Sequence, residues 1–282
     1  MPRVDAHTHI FAPAQIAGRE AIATRDRTFA AIYADPNAKM ACAADLLAAL
    51  DDAGVDRAVA AGFAFTAERD IDEQNRSLLG AAAEAGGRII PLATTNLSLP
   101  SWLPGLERAL ALGARGVGEL RPHNQGWDPL GPQAHELCEL AAARNAVLLW
   151  HVSEPVGHAY PGKEGGITPA ELATLAMAHP ASPMIAAHLG GGLPFYLQMP
   201  ELRTALSMIW FDTAAAALLY DENSVARLVD LAGPARVLFG SDYPLLSPRR
   251  QLQRITALLP GDIAQAVCGG NADTLFSDRQ YS

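Results

Sequence analysis

Eight short runs of apolar and β-branched residues, each followed by a longer Ala- and Leu-rich helical pattern, constrain this chain most. The runs fall at residues 4–10, 57–65, 89–97, 114–123, 146–153, 184–190, 208–213 and 236–243. The helical patterns lie near 43–53, 68–85, 102–112, 133–144, 169–179, 194–206, 222–232 and 248–259. A strand that alternates with a helix crosses back over the sheet, so neighbouring strands run parallel. Eight units of ~35 residues suit a βα repeat of roughly 30, and predict an α/β chain closed into a (β/α)8 TIM barrel. No composition break divides it, so one domain is expected over 1–282. An open doubly wound sheet is the runner-up. Gly190-Gly191-Gly192 lacks the spacing of a dinucleotide fingerprint, and nothing else favours that fold.

Local chemistry marks several boundaries. Thr168-Pro169-Ala170-Glu171 combines a capping hydroxyl, Pro at the first helical position and a capping-box Glu, and Ser247-Pro248 repeats the start. Gly54, Gly113 and Gly233 follow helical patterns where a left-handed residue ends a helix. Two connections, 11–40 and 154–166, are too long for simple βα loops. Both leave C-terminal strand ends, the face where barrels carry active sites, so both are candidate lids.

Charge narrows the function. Thirty Asp and Glu against 21 Lys and Arg give a net charge of −9. Without a basic stripe, nucleic acid and anionic membrane surfaces are excluded as partners. The three cysteines, Cys42, Cys138 and Cys268, are scattered and odd in number, which points to free thiols in a reducing compartment. With no secretory signal or membrane span evident, a cytoplasmic protein is expected; a homo-oligomer is left open.

Ionisable residues gather at the predicted strand ends. His7 and His9 stand two apart on strand 1, which points both imidazoles the same way. Alone, such a pair is weak evidence in a chain with eight His. Glu119 lies toward the end of strand 4, His151 ends strand 5, His188 ends strand 6 and Asp242 ends strand 8. Alternation continues the rows Val147-Leu149-His151 and Leu238-Asp242 inward. Ionisable groups in a packed barrel mouth need partners or a metal. Four His and two carboxylates converging there suit Zn2+ or a similar borderline ion. Asp212 at the end of strand 7 is placed to orient a ligand His. Arg121 and His123 just past strand 4, and His158, Tyr160 and Lys163 in the strand 5 loop, are candidates for binding an anionic substrate. His135 and His179 fall on helices as surface residues, and Trp150 faces outward as packing.

His7-x-His9, His151, His188 and Asp242, in that order on strands 1, 5, 6 and 8, resemble the amidohydrolase superfamily. Val4-Asp5-Ala6-His7-Thr8-His9, Phe239-Gly240-Ser241-Asp242-Tyr243-Pro244 and Gly269-Gly270-Asn271-Ala272 resemble its amidohydrolase-2 branch, and the likeness spans essentially the whole chain. That branch holds metal-dependent hydrolases beside decarboxylases and hydratases of small carboxylic acids, and lactonases. Many superfamily members bridge two metals with a carbamylated strand lysine. Here the only lysines, Lys39 and Lys163, fall on no strand. Glu119 instead resembles the bridging carboxylate of TatD-like hydrolases. The resemblance then implies one ion on His7, His9, Glu119 and Asp242, and a second on Glu119, His151 and His188. The alternative is a single ion on His7, His9, His151 and Asp242, with His188 as free acid/base.

The expected reaction is metal-assisted hydrolysis of a C–N, C–O or lactone bond in a small molecule. A bound ion, zinc or else manganese, lowers the pKa of water to ~7. Asp242 takes the proton and returns it to the leaving group, with His188 or His123 assisting. Two alternatives stay open. One is non-oxidative decarboxylation of a small acid, in which Asp242 or His188 protonates carbon while metal and Arg121 hold the oxygens. The other is a non-catalytic metal-binding barrel.

Overall fold

The protein is described here by a computed structural model covering residues 1–277. The single domain expected over 1–282 is therefore described without its last five residues. Strands β1 (Val4–His9), β2 (Arg57–Ala61), β3 (Ile89–Ala93), β4 (Gly116–Leu120), β5 (Val147–Trp150), β6 (Met184–Ala186), β7 (Ile209–Asp212) and β8 (Val237–Leu238) form one sheet in chain order. Every neighbouring pair is parallel. The end of the sheet returns to its beginning: Thr8 bridges Tyr243, and Ala6 N–H donates to the Phe239 carbonyl at 2.7 Å. This is the (β/α)8 barrel that the alternation predicted.

Two apolar layers follow from strand alternation. Val4, Ala6, Val59, Ala61, Ile90, Leu92, Val147, Leu149, Ile185 and Leu238 fill the barrel. Leu148, Trp150, Met184, Phe211 and Val237 face outward against helix residues such as Leu46, Leu78, Leu106 and Leu137. Trp150 is fully buried there, 6.1 Å from the Trp127 ring. The floor is closed by a segment with no counterpart among the expected elements. Short helical turns from Gly261–Gln265 to Asn271–Leu275 bring Ala272, Leu275 and Phe276 into the inner layer beneath β1.

Helix boundaries obey the local chemistry in places. Thr168 accepts from Glu171 N–H and Glu171 answers to Thr168 N–H, the reciprocal cap of helix Pro169–Ala178. Gly54 ends helix Ala43–Ala53 in the left-handed conformation. The helix expected at 194–206 is the clear departure. The chain instead runs from His188 through Gly192 in left-handed or near-left-handed conformation, makes 3-10 turns to Gln198, and is α-helical only over Pro200–Ala205. Packing explains why: a side chain on Gly190 would meet the Phe211 ring at 2.7 Å. Pro194 also withholds a helical hydrogen bond.

The two long connections both cover the C-terminal face. The first carries helices Pro13–Ala17, Arg19–Arg25 and Arg27–Tyr33. It is fastened by an aromatic cluster in which the Phe29 ring lies 6.1, 5.5 and 5.7 Å from the rings of Phe11, Phe63 and Phe65. Each fully buried Phe is worth about 1.5–3 kcal/mol. The second, 154–166, has no core of its own and is held by polar contacts. Glu154 accepts from Tyr160 and Tyr220, and Arg121 donates to the Gly162 and Glu164 carbonyls. Cys42, Cys138 and Cys268 are free thiols, and no helix among the described residues is long and apolar enough to cross a membrane.

Candidate active site

The barrel mouth brings together all six residues expected to converge there, but mostly by routes that alternation did not foresee. His151, one residue past β5, does continue the inward row Val147-Leu149. Asp212 ends β7 on the face opposite Phe211. The others depart from regular geometry. Val4 and Ala6 face inward, so strict alternation would place Thr8 beside them; the register with β2 shifts between Asp5 and Thr8, and His7 and His9 enter the mouth. Val117 and Leu120 face outward, so plain alternation from Val117 would aim Glu119 out as well, and a second shift between Val117 and Leu120 turns it in. His188 and Asp242 do not end strands as expected. They lie past β6 and β8 at φ of +56° and +60°, a region that non-glycine residues seldom occupy outside functional sites.

Two triads result. His7, His9 and Asp242 form one, with His7 Nε2 3.0 Å from His9 Nε2, and Asp242 Oδ1 3.9 and 3.5 Å from the two. Glu119, His151 and His188 form the other. Glu119 Oε1 is 2.8 Å from His151 Nδ1 and 3.2 Å from His188 Nε2, which are 3.0 Å apart. Glu119 also lies 3.8 Å from His7 and 3.9 Å from His9, so its carboxylate stands between the triads.

Surrounding polar groups fix the rings. Asp212, fully buried, accepts from His7 Nδ1 at 2.7 Å, from His188 N–H at 2.9 Å and from Ala214 N–H at 3.1 Å. His188 Nδ1 faces the Ala214 carbonyl at 3.2 Å. A carbonyl only accepts, so Nδ1 carries its hydrogen, and Nε2 is the nitrogen that faces Glu119 across the mouth. Asp5 Oδ1 accepts from Ser241 N–H at 2.9 Å, immediately before Asp242, while its other oxygen is buried without a partner. Burial raises the Asp5 carboxyl to about 7 against the lowering effect of those bonds.

The electrostatics match a cation centre. Burial disfavours charge on His7, yet Asp212, Glu119 and Asp242 raise it to about 10. Burial and Arg121 depress His151 to about 4, and burial together with His7 lowers His9. Glu119 is held well below the usual carboxylate range: His151, His188 and His7 outweigh its burial. His151 Nδ1 meets Glu119 and His188, while its Nε2 is buried without a partner, a polar atom left over by the internal contacts. Nitrogen lone pairs and anionic oxygens crowd into one buried space, and this donor set fits a divalent cation.

Of Arg121, His123 and His158, the structure brings only Arg121 to the metal-ligating cluster. Arg121 is 4% exposed, and its Nε is buried without a partner. His123 is exposed and faces Glu171 at 3.2 Å. His158 is exposed, 5.8 Å from the Tyr160 ring. Both stand outside the metal-ligating cluster, His123 on the short helix Pro122–Gln125 and His158 on the exposed part of the 154–166 connection. His135 and His179 meet each other at 2.6 Å on neighbouring helices. Sequence reasoning missed Tyr33, whose hydroxyl has its pKa raised by burial and by Asp242. It lies on the inserted helix Arg27–Tyr33, and no spacing rule connects it to β8.

A (β/α)8 barrel with a His and carboxylate cluster suited to a divalent cation at its C-terminal mouth is the architecture the family resemblance implied, and the chain belongs to the amidohydrolase family, whose amidohydrolase-2 model matches residues 4–277. A curated relative, 6-methylsalicylic acid decarboxylase of Aspergillus aculeatus, is 29% identical over 205 residues, 58% of this chain and 61% of that protein. The match thus spans about three fifths of the curated relative. Among solved structures, 5-carboxyvanillate decarboxylase from Sphingomonas paucimobilis superposes with a TM-score of 0.76 at 20% identity, covering 98% of each chain. A dihydroxybenzoic acid decarboxylase from a Polaromonas species, solved with bound manganese and the inhibitor 2-nitroresorcinol, gives 0.71 at 15% identity, over 98% of this chain and 96% of that one. These findings overturn the expected hydrolase. The named relatives are lyases, so the alternative reaction drawn from the sequence is the one the comparisons favour.

Asp212 offers a direct check on how the cluster is held. In Asp212→Asn one oxygen replaces two, while His7 Nδ1–H and the two backbone N–H groups each need an acceptor. At least one buried donor then faces an NH2 group, at a cost of about 1–3 kcal/mol. A lowered urea midpoint is expected, with metal affinity reduced about 10- to 100-fold. Unchanged values in both measurements would deny Asp212 this role.

Proposed function

We propose that the protein is a metal-dependent non-oxidative decarboxylase of a small aromatic carboxylic acid. The observation that carries the reading is the 29% identical relative whose reaction is the decarboxylation of a hydroxylated benzoic acid. His7, His9 and Asp242 would hold one divalent ion, and Glu119, His151 and His188 a second position. Equal access to nitrogen and oxygen donors suits manganese as well as zinc. When bound, the ion supplies positive charge that holds substrate oxygens and stabilises the charge developing as the C–C bond breaks.

The chain's own groups account for the rest. Arg121 offers a buried guanidinium, with no carboxylate in ion-pair contact among the described residues, to the substrate carboxylate. Asp242, with His188 beside it, delivers a proton to the ring carbon that bears the carboxylate. The C–C electron pair stays with the ring, CO2 leaves, and one proton is consumed per turnover. Tyr33 and the aromatic cluster beneath it wall the mouth and exclude water from the reacting carbon.

The test is CO2 release from a panel of hydroxybenzoic and related aromatic acids, beside a panel of esters, amides and lactones. Turnover of acids alone is expected. Arg121→Met should raise KM about tenfold or more, because a charge-assisted pair is lost. Hydrolysis with no CO2 release would overturn the proposal.

A further inference from the structure

Between the inserted helix Arg27–Tyr33 and the 154–166 loop lies a cavity of about 580 Å3 that the mechanism above touches only through Arg121. Its walls include the apolar side of Ile32 and the ring of Tyr160, with three cations, Arg27, Arg121 and Lys163. None of the three has a carboxylate within ion-pair distance among the described residues. Arg25, which also borders the space, is neutralised by Asp70 at 2.6 Å. Lys163 donates only to the Val156 and His158 carbonyls and stands 5.5 Å over the Tyr160 ring. Glu164 reaches the rim, but its side chain forms no ion pair there.

Three cations without an ion-pair partner among the described residues gather at this cavity although the chain's net charge is −9. They become favourable when an anion joins them. Arg121 is the link: it lines this cavity, and the charges of Glu119 and Asp242 act on it from the other side. Gly162 keeps the wall thin. It holds φ of +86°, and a side chain there would press on Ile32 at 3.3 Å.

We propose that this cavity binds a second anionic group of the substrate, so that the acid taken by the protein is a dianion with one carboxylate at the metal cluster and another acidic substituent against Arg27 and Lys163. The proposal rests on the decarboxylase reading for the reacting carboxylate. The cavity chemistry, Ile32 and the Tyr160 ring beside three cations without ion pairs among the described residues, stands on its own.

Calorimetric titration with benzoate and isophthalate tests it without turnover. The two probes share a ring and differ by one carboxylate. The protein as purified should bind isophthalate about tenfold more tightly, the worth of one charge-assisted contact. Arg27→Ala should remove most of that preference, and Lys163→Met should reduce it. Arg250→Ala takes an exposed charge from outside the cavity and should leave the preference intact, which separates a local site from net charge. Equal affinities in the wild type, or a preference that survives both cavity variants, would overturn the proposal. Acids that release CO2 without this preference would remove the subsite and keep the reaction. The preference in a protein that releases no CO2 would do the reverse.

Discussion

Asp242→Asn is expected to lower kcat for CO2 release by about 10²- to 10⁴-fold, the usual worth of a positioned proton donor. The substitution keeps an oxygen 3.5 Å from His9 and preserves side-chain volume, so the circular dichroism spectrum should not change. Its backbone should stay in place as well, because Asp242 N–H donates to the His7 carbonyl and Asp5 grips the preceding residue. Asn also tolerates the left-handed conformation better than most residues. A large loss with an intact fold therefore isolates the proton. A variant within threefold of the wild type would remove Asp242 from the chemistry.

Stripping the divalent cation with a chelator is expected to abolish CO2 release, and adding back manganese or zinc should restore it. Glu119→Gln then asks how many ions the cluster holds. The Glu119 carboxylate lies between the triads, within 3.9 Å of His7, His9, His151 and His188. If it bridges two ions, its loss leaves their repulsion poorly screened in a largely dry site. Elemental analysis should show two ions per chain falling to one, with His151→Ala behaving alike. A single ion in the wild type, retained by Glu119→Gln, would support the one-ion arrangement instead. Full activity in metal-free protein would defeat the metal reading altogether.

The barrel was legible in the sequence because it rests on redundancy. Eight separate runs of strand-forming residues each point to the same alternation, and an error of a few residues at any end does not alter the topology. The site was legible only as composition and order. His151 and Asp212 follow from strand alternation, but His7, His9, Glu119, His188 and Asp242 depend on two register shifts and two left-handed residues. Those features arise from non-local packing, which residue types along one strand do not encode. The Gly-rich stretch after β6 carried a signal of irregular backbone, and the broken helix at 188–198 is its consequence. His123 and His158 were drawn toward the site by their place in the chain, whereas a partner, Glu171 for His123, decides where such a side chain lies. The reaction was less legible still. Hydrolysis and decarboxylation share one set of ligands, and the difference lies in what the loops present to the bound acid.

The two covers of the mouth differ in what fastens them, and that difference divides their futures. The inserted helices are bolted by interlocked aromatic rings, so replacing a residue there disturbs several neighbours at once. The 154–166 loop is tied largely through main-chain carbonyls, which every residue type supplies. Apart from Glu154, Tyr160 and Lys163, whose side chains make ties of their own, its residues are free to vary while its path is retained. Selection for new acids therefore has an open field on one side of the mouth and a closed one on the other. A lineage descending from this chain would diversify by rewriting that loop while inheriting the aromatic bolt unchanged.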